Sequence, residues 1–150
     1  FASRLMQTVR DEEGLTYGVY SSLSDDTYSD GSWTVTADFN PALLSQGRES
    51  TLREIKKWIE KGVTLEELNA QKSTVIGQNK LKLSSTGSIG SSILANVERG
   101  LKPDYWETYL QKVNSTTIEQ VNNAVKKYID PEKFITIMAG SIDENGKPLN

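Results

Sequence analysis

The side chains best suited to chemistry are an arginine and a tyrosine that stand seven residues apart, Arg10 and Tyr17. A guanidinium presents several N–H donors in a planar fork, and a phenol presents one O–H donor. Held together by rigid elements, these groups would form a donor pair for a carbonyl or carboxylate oxygen. A purely structural interpretation is also open, because arginine favours the last turn of a helix and tyrosine fills half-buried strands.

The residues around this pair predict a helix, a tight turn and a strand. Met6 and Val9 recur at helical spacing, whereas the residues from Tyr17 onward alternate as in a strand. Gly14 lies where the period changes, and a helix end favours a residue that is free to adopt a positive φ. We therefore expect Arg10 in the last turn of the helix and Tyr17 at the start of the strand, with both side chains aimed into one space.

The next segments predict a hairpin followed by helices. A strand from Thr16 to Leu23 and a second from Ser32 to Phe39 would pair antiparallel, since apolar and polar residues alternate along the second. Amphipathic stretches then predict four or five helices. Two of these begin with candidate capping boxes, Thr64-x-x-Glu67 and Thr116-x-x-Glu119.

The last apolar segment, Phe134 to Ala139, is apolar on both faces, which is typical of a central strand. Residues 143–150 read as a turn or tail. The order of helix, hairpin, helices and strand predicts an α+β fold, in which an antiparallel-rich mixed sheet is covered on one face by helices. We expect residues 1–150 to form a single domain.

Composition excludes several classes of function. A net charge of −3 with 25% charged residues provides no basic surface for nucleic acid. No run approaches the roughly 18 apolar residues of a membrane span. Cysteine and histidine are both absent, which removes disulfides, thiol chemistry, the commonest general base and the commonest metal ligands. Composition leaves the cellular compartment open.

Other chemistries fit the sequence poorly. Zinc needs three or four His, Cys or carboxylate ligands, and only carboxylates are present. Asp26-x-x-x-Asp30 resembles part of a calcium loop, but Tyr28 and Ala37 replace required ligands, so an acidic turn is the better interpretation. Serine catalysis lacks a base. The glycines near residue 88 are not followed by the lysine of a phosphate-binding loop.

The Arg10-to-Tyr17 segment also carries a family resemblance. Ala2-Ser3-Arg4-Leu5, followed by Val9-Arg10-x-Glu12-x-Gly14-Leu15-x-Tyr17, resembles the C-terminal homologous domain of insulinase/pitrilysin-type zinc peptidases, which include the mitochondrial processing peptidase. Looser matches follow in the same order at Gly62-Val63-Thr64-x-Glu66-Glu67-Leu68, Val113-x-x-Thr116-x-x-x-Gln120-Val121 and Met138-Ala139-Gly140.

The resemblance implies a catalytically incomplete, substrate-binding domain that faces a separate zinc-bearing domain or subunit. Arg10 would bind a carbonyl of the substrate backbone, and Tyr17 would donate a hydrogen bond to the scissile carbonyl. The chain lacks the family's inverted zinc motif, His-x-x-Glu-His, so the zinc is expected in the partner and none in this chain. The resemblance also implies a strand upstream of residue 1, which would make this chain a fragment of a longer product.

Two alternatives remain. The first is a non-catalytic assembly module on the same fold, as in the core proteins of the mitochondrial respiratory reductase. The second is an unrelated α+β binding domain, which would be favoured if Arg10 and Tyr17 pointed to different faces of the sheet.

Overall fold

A computed structural model of the chain describes residues 3–24 and 31–149. The described residues cluster into two compact units, one of residues 3–24, 31–61 and 126–149, and one of residues 62–125. The organisation of residues 1–150 as a single domain stays a prediction. The candidate calcium loop at Asp26 and Asp30 lies outside the described residues.

The first helix spans Met6–Glu12 and has the wide turn of a π-helix. Gly14 follows the helix, and its φ of 64° is left-handed. The Gly14 N–H donates to the Arg10 carbonyl at 3.0 Å, and the Leu15 N–H donates to the Val9 carbonyl at 3.0 Å. These bonds satisfy carbonyls that a helix end otherwise leaves without partners. Gly14 therefore ends the helix as its position in the sequence predicts.

Strands β1 (Thr16–Ser24) and β2 (Ser32–Phe39) form the predicted antiparallel hairpin. The first helix packs on one face of this hairpin. Its contacts form the core of the first unit, whose buried members are Met6, Val9, Leu15 and Val19, with Val35, Ala37 and Phe39 packed against them. The opposite face of β2 carries exposed polar residues, which gives the two-faced pattern expected of such a hairpin.

Helix α1 (Leu44–Lys61) follows a 3-10 turn, in which the Asn40 side chain accepts a hydrogen bond of 2.9 Å from the Ala42 N–H. Gly47 lies inside α1 against β2, and a β-carbon there would come within 2.2 Å of the Phe39 ring. Glycine at this position allows the helix to approach the strand closely.

Glu13, which follows the first helix, is hydrogen-bonded to α1. The Glu13 carboxylate accepts hydrogen bonds from the Ser50 hydroxyl and the Arg53 guanidinium. Because Ser50 is buried, these bonds hold the turn after the first helix in a fixed position against α1.

Four further helices follow, α2 (Leu65–Lys82), α3 (Thr86–Glu98), α4 (Tyr105–Ser115) and α5 (Ile118–Tyr128). The predicted capping box at the start of α2 is present, with the Thr64 hydroxyl bound by the Glu67 N–H at 3.2 Å and the Thr64 N–H donating to Glu67 at 2.7 Å. Leu68 is the buried residue of α2, so this helix is largely exposed.

The capping box predicted at Thr116 and Glu119 is wrong by one residue. The Thr117 N–H donates to Gln120 Oε1 at 2.8 Å, and the Gln120 N–H donates to Thr117 Oγ1 at 3.3 Å. The Thr116 hydroxyl instead donates to the carbonyl of Lys112 at the end of α4. Thr116 thus closes one helix while Thr117 opens the next.

The strand predicted from Phe134 to Ala139 does not form among the described residues. This segment belongs to no strand pair, and Ile135 and Ile137 are 88% and 86% exposed. A central strand needs a hydrogen-bonded neighbour on each side, and the described part of the chain supplies none. An open cleft of about 790 Å³ separates the segment from β2, with α1 along its floor.

The architecture is α+β, as predicted, with two antiparallel strands and six helices in the described residues. This number of strands fits a truncated sheet. No helix within the described ranges has both the length and the apolar character needed to cross a membrane.

The core of the first unit gives a stability prediction. Met6 is 2% exposed, so Met6→Ala should lower the free energy of unfolding by about 2–5 kcal/mol through lost burial and a residual cavity. Urea unfolding measures the change. The control Leu81→Ala removes a side chain that is 73% exposed and should alter stability by about 0.5 kcal/mol or less. Equal losses in the two variants would contradict the assigned core.

Candidate functional site

Arg10 lies in the last turn of the first helix, as predicted. Its side chain is 27% exposed, and its Nε lies 3.7 Å from a carboxylate oxygen of Asp11. The helix ends two residues later at Glu12, and Gly14 follows with its left-handed φ. Because the core contacts of Met6 and Val9 fix the rotation of this helix, they also fix the side of the helix from which Arg10 projects.

Tyr17 lies near the start of β1, and its side chain is 82% exposed. An exposed tyrosine keeps its O–H available to a molecule that approaches from solvent. The structural interpretation of Tyr17 as half-buried sheet filling is therefore wrong.

The structure brings the two predicted residues together. The Arg10 guanidinium carbon lies 5.0 Å from the centroid of the Tyr17 ring. A cation over an aromatic face at an exposed site is typically worth about 0.5–1 kcal/mol. The contact places a cationic donor beside a phenolic donor, as the helix–turn–strand pattern predicts.

A β-bulge explains the outward direction of Tyr17. Thr16 pairs with Phe39 and Val19 pairs with Ala37, so two residues of β1 oppose one residue of β2. Strict alternation would place Tyr17 on the buried face with Val19. The extra residue reverses this, since a bulge changes the direction of the side chains next to it.

Side chains satisfy the backbone donors within this bulge. The Gly18 N–H donates to Thr16 Oγ1 at 3.1 Å, and the Val19 N–H donates to the Met6 sulfur at 3.4 Å. The Thr16 hydroxyl also contacts the carbonyl oxygens of Asp38 and Gly18. Sequence reasoning missed the bulge, although a glycine inside a strand pattern is its usual signal.

The chain's residues do not fit a zinc site. The sequence has no histidine or cysteine. Within residues 3–24 and 31–149, no three His, Cys, Asp or Glu side chains are grouped so as to hold a metal ion. The chemistry available at Arg10 and Tyr17 is hydrogen-bond donation to an oxygen that carries full or partial negative charge.

Comparison with known proteins gives a family and two curated relatives. A family described as the peptidase M16 inactive domain matches residues 1–75, half of the chain. The non-peptidase homolog YmxG of Helicobacter pylori is 26% identical over 132 residues, which are 87% of this chain and 30% of the relative. The uncharacterized zinc protease YmxG of Bacillus subtilis is 28% identical over 141 residues, which are 93% of this chain and 34% of the relative. The chain thus spans about a third of the length of these relatives.

Two solved structures share the fold at 25% identity. A crystal structure of a peptidase M16 inactive domain from Pseudomonas fluorescens superposes with a TM-score of 0.78, covering 89% of this chain and 31% of the other. The periplasmic protease PqqL of Escherichia coli superposes with a TM-score of 0.67, covering 83% of this chain and 14% of the other. The inactive-domain description agrees with the expectation that the zinc does not belong to this chain.

The turn between Arg10 and Tyr17 gives a prediction with a matched control. Gly14→Ala should lower the free energy of unfolding by about 1–2 kcal/mol, because alanine is strained at a φ of 64°. Gly77→Ala, in the interior of α2 with open space around its α-carbon, should instead raise it by about 0.5–1 kcal/mol. Urea unfolding of both variants measures the two signs, and a stabilising Gly14→Ala would contradict the cap.

Proposed function

Because the chain belongs to the family of the peptidase M16 inactive domain, we propose that it is the metal-free, substrate-binding domain of a two-part zinc endopeptidase. The observation that carries this proposal is the contact of Arg10 with an exposed Tyr17 at 5.0 Å. Both residues lie within the part of the chain that the family matches. The name of the B. subtilis relative, a zinc protease, supports the same reaction class.

Tyr17 is the residue that acts at the reacting bond in this proposal. Attack of water on a peptide carbonyl turns the carbonyl oxygen into an oxyanion. A phenol that donates a hydrogen bond to this oxygen stabilises the transition state more than the ground state, and loss of one such donor typically costs about 10²–10³ in kcat.

Arg10 binds the substrate in this proposal. Its guanidinium donates to a backbone carbonyl of the peptide beside the scissile bond, which holds that bond next to Tyr17. The contact of the Arg10 guanidinium with the Tyr17 ring favours arrangements in which the two donors lie side by side. Gly14 and Leu15 are structural, since Gly14 forms the turn between the two donors and Leu15 belongs to the buried core beside it.

The zinc and its activated water belong to a second, homologous domain or subunit, because the residues of this chain do not fit the metal. The chain is therefore inactive alone, and its face at Arg10 and Tyr17 lies opposite the zinc-bearing part. The length of the relatives leaves room for such a domain, since the chain covers 30% and 34% of them.

A second candidate is a non-catalytic assembly module on the same fold. The H. pylori relative, named a non-peptidase homolog, favours it. The presence of both Arg10 and Tyr17 favours the catalytic proposal, because an assembly module has no need for an exposed oxyanion donor.

The assembled protein distinguishes the two candidates. We expect it to cleave fluorescein-labelled casein and to lose this activity in 1,10-phenanthroline, because the reaction depends on the partner's zinc. The parent reading frame or its neighbour should encode His-x-x-Glu-His. Absence of cleavage both with and without the chelator, together with absence of that motif, would favour the assembly module.

The role of Tyr17 gives a separate prediction. In the assembled peptidase, Tyr17→Phe should lower kcat by about 10²-fold with little change in KM, because the lost bond forms chiefly in the transition state. The rates are measured with an internally quenched peptide taken from the casein fragments.

Tyr128→Phe is the matched control. Tyr128 is 71% exposed and has the Lys127 ammonium 4.7 Å from its ring centroid, so it presents the same kind of contact. Its removal should leave kcat unchanged. Equal rates in the Tyr17→Phe and unaltered proteins would remove Tyr17 from the mechanism.

A further inference from the structure

We infer that Thr16 is a positioning residue, whose hydroxyl holds the β-bulge that turns Tyr17 out of the core and into the site. The inference rests on the proposed function for its catalytic consequence, whereas the structural consequence can be tested without it. Thr16 precedes Tyr17 in β1, and the proposed function gives it no contact with the substrate.

The register of the hairpin shows what the bulge prevents. From Val19–Ala37 to Ser24–Ser32 the pairing is regular. Continued without interruption past Val19, the same register would place Gly18 opposite Asp38 and Tyr17 opposite Phe39. Phe39 packs against the buried cluster around Val19, so this pairing would direct the phenol into the core.

The Thr16 hydroxyl supplies bonds that the interrupted ladder lacks. Thr16 Oγ1 accepts from the Gly18 N–H at 3.1 Å and contacts the Asp38 carbonyl across the hairpin. It also lies 3.0 Å from the Gly18 carbonyl, so its single proton has two acceptors within reach. Gly18 is buried, and a buried backbone N–H needs a partner. One hydroxyl therefore joins both strands at the extra residue.

Valine at position 16 keeps the size and branching of threonine but can neither accept nor donate these bonds. Without these hydrogen bonds, the regular pairing becomes the better way to give the Gly18 N–H an acceptor, and Tyr17 turns toward Phe39. Serine keeps the hydroxyl and should keep the bulge. The pair of variants thus separates the hydrogen bonds from the packing of the side chain.

The catalytic test uses the assembled peptidase and the internally quenched peptide. Thr16→Val should lower kcat by about tenfold, less than removal of the phenol itself, with KM within about twofold of the unaltered protein. Thr16→Ser should recover most of the rate. In a Tyr17→Phe background, Thr16→Val should cause no further loss, since both changes act through one oxygen.

Thr34→Val is the matched control. The Thr34 hydroxyl also joins the two strands, through the Ser22 hydroxyl at 3.1 Å, but at a site of regular pairing. Its loss should leave kcat unchanged. An equal loss in Thr34→Val and Thr16→Val would show a general effect on the hairpin and overturn the inference.

The structural test uses NMR on the same variants. Thr16→Val should bring Tyr17 ring protons within NOE distance of Phe39 or Val19, whereas Thr16→Ser should not. Unchanged NOEs of the Tyr17 ring protons together with an unchanged kcat in Thr16→Val would overturn the inference, even if Tyr17→Phe lowers kcat. If Tyr17→Phe is fully active, the proposed function fails, and the NOE result still decides the role of Thr16.

Thr16→Ala provides a second variant without the hydroxyl if Thr16→Val does not fold. Failure of both to fold, with Thr16→Ser intact, would mean that the hydroxyl holds the hairpin as a whole. That result would also count against a specific role in positioning Tyr17.

Discussion

The packing of Met6 and Val9 against Val19 is the constraint on which the rest of the first unit depends. It joins the first helix to β1 through contacts with almost no solvent access, and one of them also satisfies the Val19 N–H through the Met6 sulfur. Since the helix cannot rotate without opening this core, the residues on its outer side have fixed directions. Arg10 is one of them, and its position beside β1 follows from apolar contacts made by its neighbours.

The site therefore combines a rigid support with a half-buried arginine and an exposed tyrosine. The support comes from the buried cluster, the glycine cap and the bonds of Glu13 to α1. The donors stay outside it, where their net contribution to stability is small. This separation is consistent with the proposed role of the domain, because oriented donors need little rearrangement during a reaction.

Much of this arrangement follows from local sequence, and the failures have physical causes. Gly14 marks the helix end, and the alternation of Trp33 to Phe39 marks β2, because each depends on nearby residues. The exposure of Tyr17 could not be read from alternation, since β1 has one more residue than β2 between the pairs Thr16–Phe39 and Val19–Ala37, and this extra residue reverses the direction of the Tyr17 side chain. The segment from Phe134 to Ala139 has the composition of a central strand, but strand formation depends on neighbours that composition does not specify.

The cleft between β2 and the segment from Phe134 to Ala139 has a consequence for handling the chain. Every residue from Trp33 to Phe39 lines it, and within residues 3–24 and 31–149 the edge of β2 away from β1 pairs with no strand. Ile135 and Ile137, which also line the cleft, are 88% and 86% exposed. Such edges template intermolecular β-pairing. We therefore expect this chain in isolation to associate through that edge at high concentration, because a net charge of −3 opposes such pairing only weakly.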